Sequence, residues 1–241
     1  MKASLSDQLA VLELQRLDDQ LVALAQRENN LPETIALNST VIKRNNLRDL
    51  RIAAETERTD VKRELSRAEA DVEQIVARIQ RDEARLNSGT GTAKELEQTQ
   101  HELVTLGQRR AELEEAELTI MVQVESISNR ISELSREEDQ LTAEIAELEV
   151  QRDSALSEIL NERESISTHR NSIAAPIAQD LKDLYTKLSV DNNGNGAAQL
   201  VGNECKGCHL TINTTEIQRI ASLPAEEVVR CEQCRCILVR G

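Results

Sequence analysis

Asn87-Ser88-Gly89-Thr90-Gly91-Thr92 separates two long runs of helical periodicity, and the reading of these six residues decides the fold. Two glycines among small polar residues make a turn. Gly89 can end an incoming helix, and Thr92 can cap the next one, with Glu95 three residues on completing a capping box. A turn between two helices makes a hairpin.

Outward from the turn toward the C-terminus, one heptad register runs from Leu96 to Ile173. Leu96, Leu103, Val124, Ile131, Ile145, Ile159, Ile166 and Ile173 share one position. Leu106, Leu113, Ile120, Ile127, Leu134, Leu141, Leu148 and Ala155 share the other. This alternation of three and four is the seam of a coiled coil. Arg110, Glu117, Glu138, Arg152, Glu162 and His169 interrupt it and read as cross-hairpin pairs or snorkelling side chains that fix register. Toward the N-terminus the seam reads Leu86, Asp82, Ile79, Ile75, Val72, Ala68, Leu65 and Val61. Between Leu47 and Val61 it is hard to hold, and a stutter is expected there. Before that, Leu14, Leu17, Leu21, Leu24, Leu31, Ile35, Ile42 and Ile52 form the helical stripe, with Ser6 or Asp7 as N-cap. Pro32 lies inside it and should kink or interrupt the helix near Leu31. Folding about Gly89 to Gly91 places Leu5 opposite about Ala175. Arms of roughly eighty residues at about 1.5 Å per residue give a rod on the order of 120 Å long.

Pro176 ends the coil. A short helix over 176–189 presents Ile177, Leu181, Leu184 and Leu188 on one face, with Tyr185 beside them either packing on the coil base or offering a stacking platform for a base. Strands are expected over 197–203, 227–230 and 237–240, and a short helix over 214–221 with Thr214 or Thr215 as cap. Within this region Cys205-Lys206-Gly207-Cys208-His209 is answered by Cys231-Glu232-Gln233-Cys234-Arg235-Cys236. Two CxxC pairs at this separation match a zinc ribbon, in which each pair aims two thiolates at one ion and four thiolates close a tetrahedral shell. Such a shell leaves no position for water or substrate, so the ion is structural. A domain this small needs it to fold. A redox role for the pairs would call for one CxxC at a helix start in a βαβ context, which the pattern lacks.

The fold class that emerges is mostly α, a long antiparallel coiled-coil hairpin over 1–175 with its turn at about 87–93, followed by a short helix and a four-cysteine zinc ribbon over 176–241. Composition agrees. The 241 residues include no Trp, no Phe, one Tyr and three Pro, and 30% are charged, which suits long helices burying a narrow seam. No apolar run approaches the twenty residues a membrane helix needs and no signal-peptide pattern follows Met1. Cysteines at metal spacing suit a reducing compartment. A cytoplasmic protein is expected.

The formal charge of -14 opposes wrapping nucleic acid along the chain. In the ribbon, Lys206, Arg219, Arg230, Arg235 and Arg240 could touch phosphates, but they face six acids over 190–241. No paired carboxylates, phosphate loop or Ser/His/Asp arrangement suggests an enzyme. A protein-binding adaptor is therefore the leading reading, with RNA or DNA binding through the ribbon as the alternative. Monomer and homodimer both fit.

The chain also resembles the bacterial zinc-ribbon proteins with a coiled-coil hairpin, a family described as C4-type zinc ribbon proteins and associated with nucleic-acid binding. The resemblance spans the whole chain. It rests on Leu31-Pro32-Glu33, on Ser88-Gly89-Thr90 with Lys94-Glu95-Leu96-Glu97-Gln98 and Gln100-His101-Glu102-Leu103, and on the two knuckles with Ile237-Leu238-Val239-Arg240. Its actinobacterial members look most similar. The resemblance implies one Zn2+ on Cys205, Cys208, Cys231 and Cys234, and a contact surface at the hairpin tip made of Lys94, Glu95, Gln100, His101 and Glu102. Members in flagellated and chlamydial bacteria are similar to chaperone-like adaptors for the sigma-54 factor and secretion-apparatus proteins, which implies protein partners. Two departures stand out. Ala93 occupies a usual proline position, and Arg235-Cys236 replaces the usual Gly-Arg after the last pair. Losing that glycine puts the knuckle's turn in question, and Cys236 can either compete with Cys234 for the metal or lie on the outer face as a reactive thiol.

Overall fold

The computed structural model describes residues 1–240. Nine elements follow in order: α1 (Leu5–Asn29), α2 (Pro32–Asn87), α3 (Ala93–Ala174), α4 (Gln179–Asp191), β1 (Ala197–Val201), β2 (Glu204–Cys205), α5 (Thr214–Ser222), β3 (Val229–Arg230) and β4 (Ile237–Arg240). They divide into two units, one made of 1–35 with 149–241 and the other of 36–148.

In the unit spanning 36–148, one stripe of buried and half-buried positions on α2 runs through Leu37, Thr40, Arg44, Leu47, Arg51, Ala54, Arg58 and Val61, and continues through Leu65, Ala68, Val72, Ile75, Ile79, Asp82 and Leu86. These steps of three and four never break. The expected stutter is absent, Leu47 lies on the seam, and the exposed Ile42 and Ile52 lie off it. The reason is that this part of the seam is polar. Arg51 donates to Glu138 across the hairpin at 2.8 Å, and Thr40 donates to Glu144 at 3.3 Å. Ala54 is the apolar centre, buried with Ile127 and Ile131, where its small side chain leaves room for both isoleucines. Between α2 and α3, Gly89 and Gly91 have φ of 61° and 142°. Thr92 N–H donates to Glu95 Oε2 at 2.7 Å and Glu95 N–H to Thr92 Oγ1 at 3.4 Å, a reciprocal capping box.

In the other unit, α1 is capped by Ser4, whose side chain accepts from Asp7 N–H, rather than by Ser6 or Asp7. Leu31 closes the break before Pro32, buried with Leu24 and Ile159, and Pro32 starts α2 at the first helical position, where its missing N–H costs nothing. Ile35 is exposed, so the stripe read from Leu14 onward holds only as far as Leu31. On α3 the expected seam residues Glu162 and His169 are exposed, and Arg163 and Arg170 take the inward positions. Carboxylates on α1 draw them there: Arg163 pairs with Glu28 and Arg170 with Asp18.

The sheet has the order β2-β1-β4-β3, with β1 and β4 parallel and both outer pairs antiparallel. Alternation along β1 and β4 gives it two faces. Ala197, Ile237 and Val239 pack on Val11 and Leu14 of α1 and on Leu181, Tyr185 and Leu188 of α4. Ala198 and Leu238 face the other way, toward Cys205, Cys231, Ile212 and Ile220. The ribbon therefore leans on helices with one face and gathers its cysteines on the other.

Candidate metal centre and partner surfaces

Two matching turns build the metal centre. In the first, His209 N–H donates to Cys205 O at 2.8 Å, and in the second Arg235 N–H donates to Cys231 O at 3.0 Å. Each turn is completed by a residue in the left-handed region, His209 with φ 56° and Arg235 with φ 64°. The turn that the missing glycine put in question is thus kept, with a side chain in a conformation that disfavours one. Arg235→Gly is accordingly expected to stabilise the ribbon by up to about 1 kcal/mol, read as a higher ribbon melting temperature.

The turns bring Cys205, Cys208, Cys231 and Cys234 together, with all four Sγ atoms within 4.8 Å of one another. Cys205 and Cys234 stand 3.9 Å apart, as do Cys208 and Cys231. Zn–S bonds of about 2.3 Å give a tetrahedron with sulfur–sulfur edges of about 3.8 Å, so the donor set fits Zn2+. Burial pushes the Cys231 thiol up to about 12, so uptake of the ion there displaces a proton. Cys236 is fully buried, which rules out the outer-face position. Its Sγ lies 3.8 Å from that of Cys205 and 3.2 Å from that of Cys234.

Polar side chains that the sequence pattern did not single out hold the ribbon in place. Gln15, buried on α1, accepts from Gly196 N–H at 2.8 Å and Ala197 N–H at 3.1 Å, and donates to Gly194 O at 2.8 Å. Gln8, two turns earlier, donates to Ala3 O and Ala225 O. Tyr185 is buried and donates to Asp18 at 2.6 Å, so of its two readings packing holds. Burial and that hydrogen bond raise its phenol well above the usual range.

The ribbon cations are placed unequally. Arg240, expected to reach phosphate, instead donates to the carbonyls of Ile220, Leu223, Pro224, Ala225 and Glu227. Ile220 lies in the last turn of α5 and the other four carbonyls in the segment that follows it, so Arg240 ties the end of the helix to the chain beyond. Arg240→Met should therefore cost about 2 kcal/mol of ribbon stability in denaturant unfolding. Arg219 pairs with Glu216, and Lys206 with Glu204. Arg230 and Arg235 line a cavity of about 480 Å³ with Lys187, Asp191 and Asn192.

At the hairpin tip, Glu95 belongs to the capping box and Glu102 pairs with Arg78. The Thr92 N–H, and then its hydroxyl, hold the Glu95 carboxyl below its ordinary range. A lowered folded value means that the cap contributes above the ordinary carboxylate range and is lost as pH falls through the folded value. Amide protection at Ala93 to Leu96, taken relative to the intrinsic exchange rate at each pH, should fall as pH drops there, and Glu95→Gln should flatten that dependence. Lys94, Gln100 and His101 are exposed. Among the described residues their side chains make no hydrogen bond.

A helical hairpin followed by a small sheet that gathers four cysteines defines a coiled-coil protein with a C4 zinc ribbon. Residues 14–193 match the family model described as the CT398-like coiled coil hairpin domain, and residues 205–238 the C4-type zinc ribbon domain. The chain belongs to the CT398-like coiled-coil hairpin family. It is 34% identical over 244 residues to the uncharacterized protein Rv2229c of Mycobacterium tuberculosis, covering 100% of this chain and 98% of the relative. It is 33% identical to a structurally characterized protein of Mycobacterium smegmatis, with TM-score 0.87 and both chains fully covered. CT398 of Chlamydia trachomatis shares the fold at 16% identity, with TM-score 0.72 over 98% of each chain. No helix among the described residues is long and apolar enough to cross a membrane.

Proposed function

We propose that the protein is a non-enzymatic adaptor: one structural Zn2+ on Cys205, Cys208, Cys231 and Cys234 keeps the ribbon folded, and the hairpin tip docks a protein partner. The observation that carries this reading is where the charges go. Arg240, Arg219 and Lys206 are engaged within the ribbon, whereas Lys94, Gln100 and His101 project freely at the tip. Electrostatic capture of phosphates needs unengaged cations, and protein docking needs open, mixed polar surface. Glu95 and Glu102 serve the tip by fixing its shape.

The nucleic-acid reading keeps one supporting feature, the cavity where Lys187, Arg230 and Arg235 meet with Asp191 as the only acid. One experiment separates the two. Zinc-loaded protein is used as bait beside a tip variant (Lys94, Gln100 and His101 to Ala) and a ribbon variant (Arg230 and Arg235 to Ala). A defined protein retained by the wild type and the ribbon variant but lost with the tip variant supports the adaptor. RNA or DNA retained in low salt, released in moderate salt and lost with the ribbon variant defeats it.

A further inference from the structure

The fifth cysteine stands beside the metal centre and outside its shell. The four clustered sulfurs are those of Cys205, Cys208, Cys231 and Cys234. Cys236 Sγ meets one of them from each knuckle, Cys205 at 3.8 Å and Cys234 at 3.2 Å. The second distance is shorter than the roughly 3.8 Å edge of a four-sulfur zinc tetrahedron, so Cys236 and Cys234 cannot take separate corners of one shell. The position of Cys236 is well fixed. Its side chain is fully buried in the cluster that holds Ala198, Ile212, Ile220 and Leu238, and its carbonyl accepts from Cys231 N–H at 3.0 Å. What such a thiol can do follows from counting hydrogens. Cys205 and Cys234 would hold the ion as thiolates and carry none. A fifth thiolate in this apolar cluster would be an unpaired buried charge beside a centre that is already negative, so Cys236 keeps its hydrogen. Among the three sulfurs in contact, Cys236 is then the one donor and the other two are acceptors.

We propose that Cys236 is a positioning residue of the zinc centre, whose thiol donates a hydrogen bond to the metal-bound sulfurs of Cys205 and Cys234. The single hydrogen serves one of the two at a time by turning about the Cβ–Sγ bond. Groups that hydrogen-bond to metal ligands from outside the shell orient those ligands and tune them. Here the need is for charge dispersal, because four thiolates on one Zn2+ leave an excess of negative charge in a half-buried site. An S–H directed at a thiolate draws off part of that charge, which strengthens the centre and makes the sulfur a poorer nucleophile. This inference rests on the reading that Zn2+ occupies the four sulfurs, and it holds whatever the hairpin binds.

The first measurement uses the unmutated full-length chain loaded with zinc. Four of its five thiols give up their hydrogens to the metal, so infrared spectroscopy should show one S–H stretching band, that of Cys236, at lower wavenumber than a free cysteine thiol. A band at the free-thiol position, or no S–H band at all, overturns the proposal. Absence of zinc on elemental analysis, with S–H bands from the other thiols, defeats instead the zinc reading beneath it. The second measurement replaces zinc by Co2+, whose d–d bands report the number of thiolates and whose charge-transfer bands report how tightly each sulfur holds its electrons. Cys236→Ala should keep the four-thiolate d–d pattern, move the sulfur-to-cobalt bands to lower energy and weaken metal binding by about tenfold, the lower end of the range for losing a ligand's outer partner. Cys236→Ser, whose hydroxyl also donates, should return the bands toward their original energy. Charge-transfer bands that are the same in the parent and Cys236→Ala, or that stay displaced in Cys236→Ser, overturn the proposal, as does loss of the four-thiolate pattern in Cys236→Ala.

Discussion

Stripping zinc from the full-length protein should unfold the ribbon while the hairpin stays helical. The face of the sheet that carries Ala198 and Leu238 packs on a cluster in which Cys205, Cys231 and Cys236 are core residues and Cys208 and Cys234 border them. Without the ion nothing cross-links residues 205–208 to 231–234, and the segment between the knuckles has only the nine-residue α5 and the two-residue β3 as regular structure. Structural zinc contributes on the order of 10 kcal/mol to domains of this kind, more than so small a core can replace. The opposite face has other support, because Ala197, Ile237 and Val239 pack on α1 and α4, and Gln15 holds the entry to β1. Hydrogen exchange after chelation should therefore rise most over 203–236 and less in β1 and β4, with little loss of helical circular dichroism. Because the thiols must lose protons to bind, affinity should fall as pH falls. A zinc-free protein that keeps ribbon protection, or a hairpin that melts together with the ribbon, would contradict this account.

The hairpin and the four-cysteine ribbon were legible because their signals are periodic or have metal-ligand spacing, and neither depends on remote partners. The turn at Gly89, the Thr92–Glu95 box and the break at Pro32 could be read for the same reason. What could not be read rests on polar side chains buried by distant chain. Thr40, Arg44, Arg51 and Arg58 occupy seam positions, so an apolar pattern lost the register between Leu37 and Val61 and took the exposed Ile42 and Ile52 instead. Gln8 and Gln15 look like solvated helix residues until Ala225, Gly194 and Gly196 come against them. Arg240 looked like a phosphate ligand because charge was visible and the carbonyls at the end of α5 were not. The fifth thiol was visible as a departure from the family's pattern, but its depth was not.

Gly196→Ala is expected to cost about 3 kcal/mol, the upper part of the range for overpacking. A Cβ there would stand 2.7 Å from Cε2 and 2.8 Å from Cδ2 of Tyr185, and 2.8 Å from the Tyr185 carbonyl oxygen. None of these atoms is free to retreat. The carbonyl is part of α4, and the ring is buried with its hydroxyl fixed on Asp18. The glycine cannot move away either. Its N–H donates to Gln15 Oε1 at 2.8 Å and its carbonyl accepts from Ile237 N–H at 2.9 Å, so shifting it disturbs both the α1 clamp and the start of the β1–β4 pair. Gly107 provides the control, since a Cβ there meets nothing within 4 Å and the residue lies inside α3. Gly107→Ala should stabilise by up to about 1 kcal/mol, the ordinary helix preference of alanine over glycine. Denaturant unfolding of the zinc-loaded variants, followed by ribbon amide exchange, reads both effects. A Gly196→Ala protein as stable as the parent would mean that α4 and the ribbon are not packed against each other at this point, and would remove the basis for the sheet having a helix-supported face.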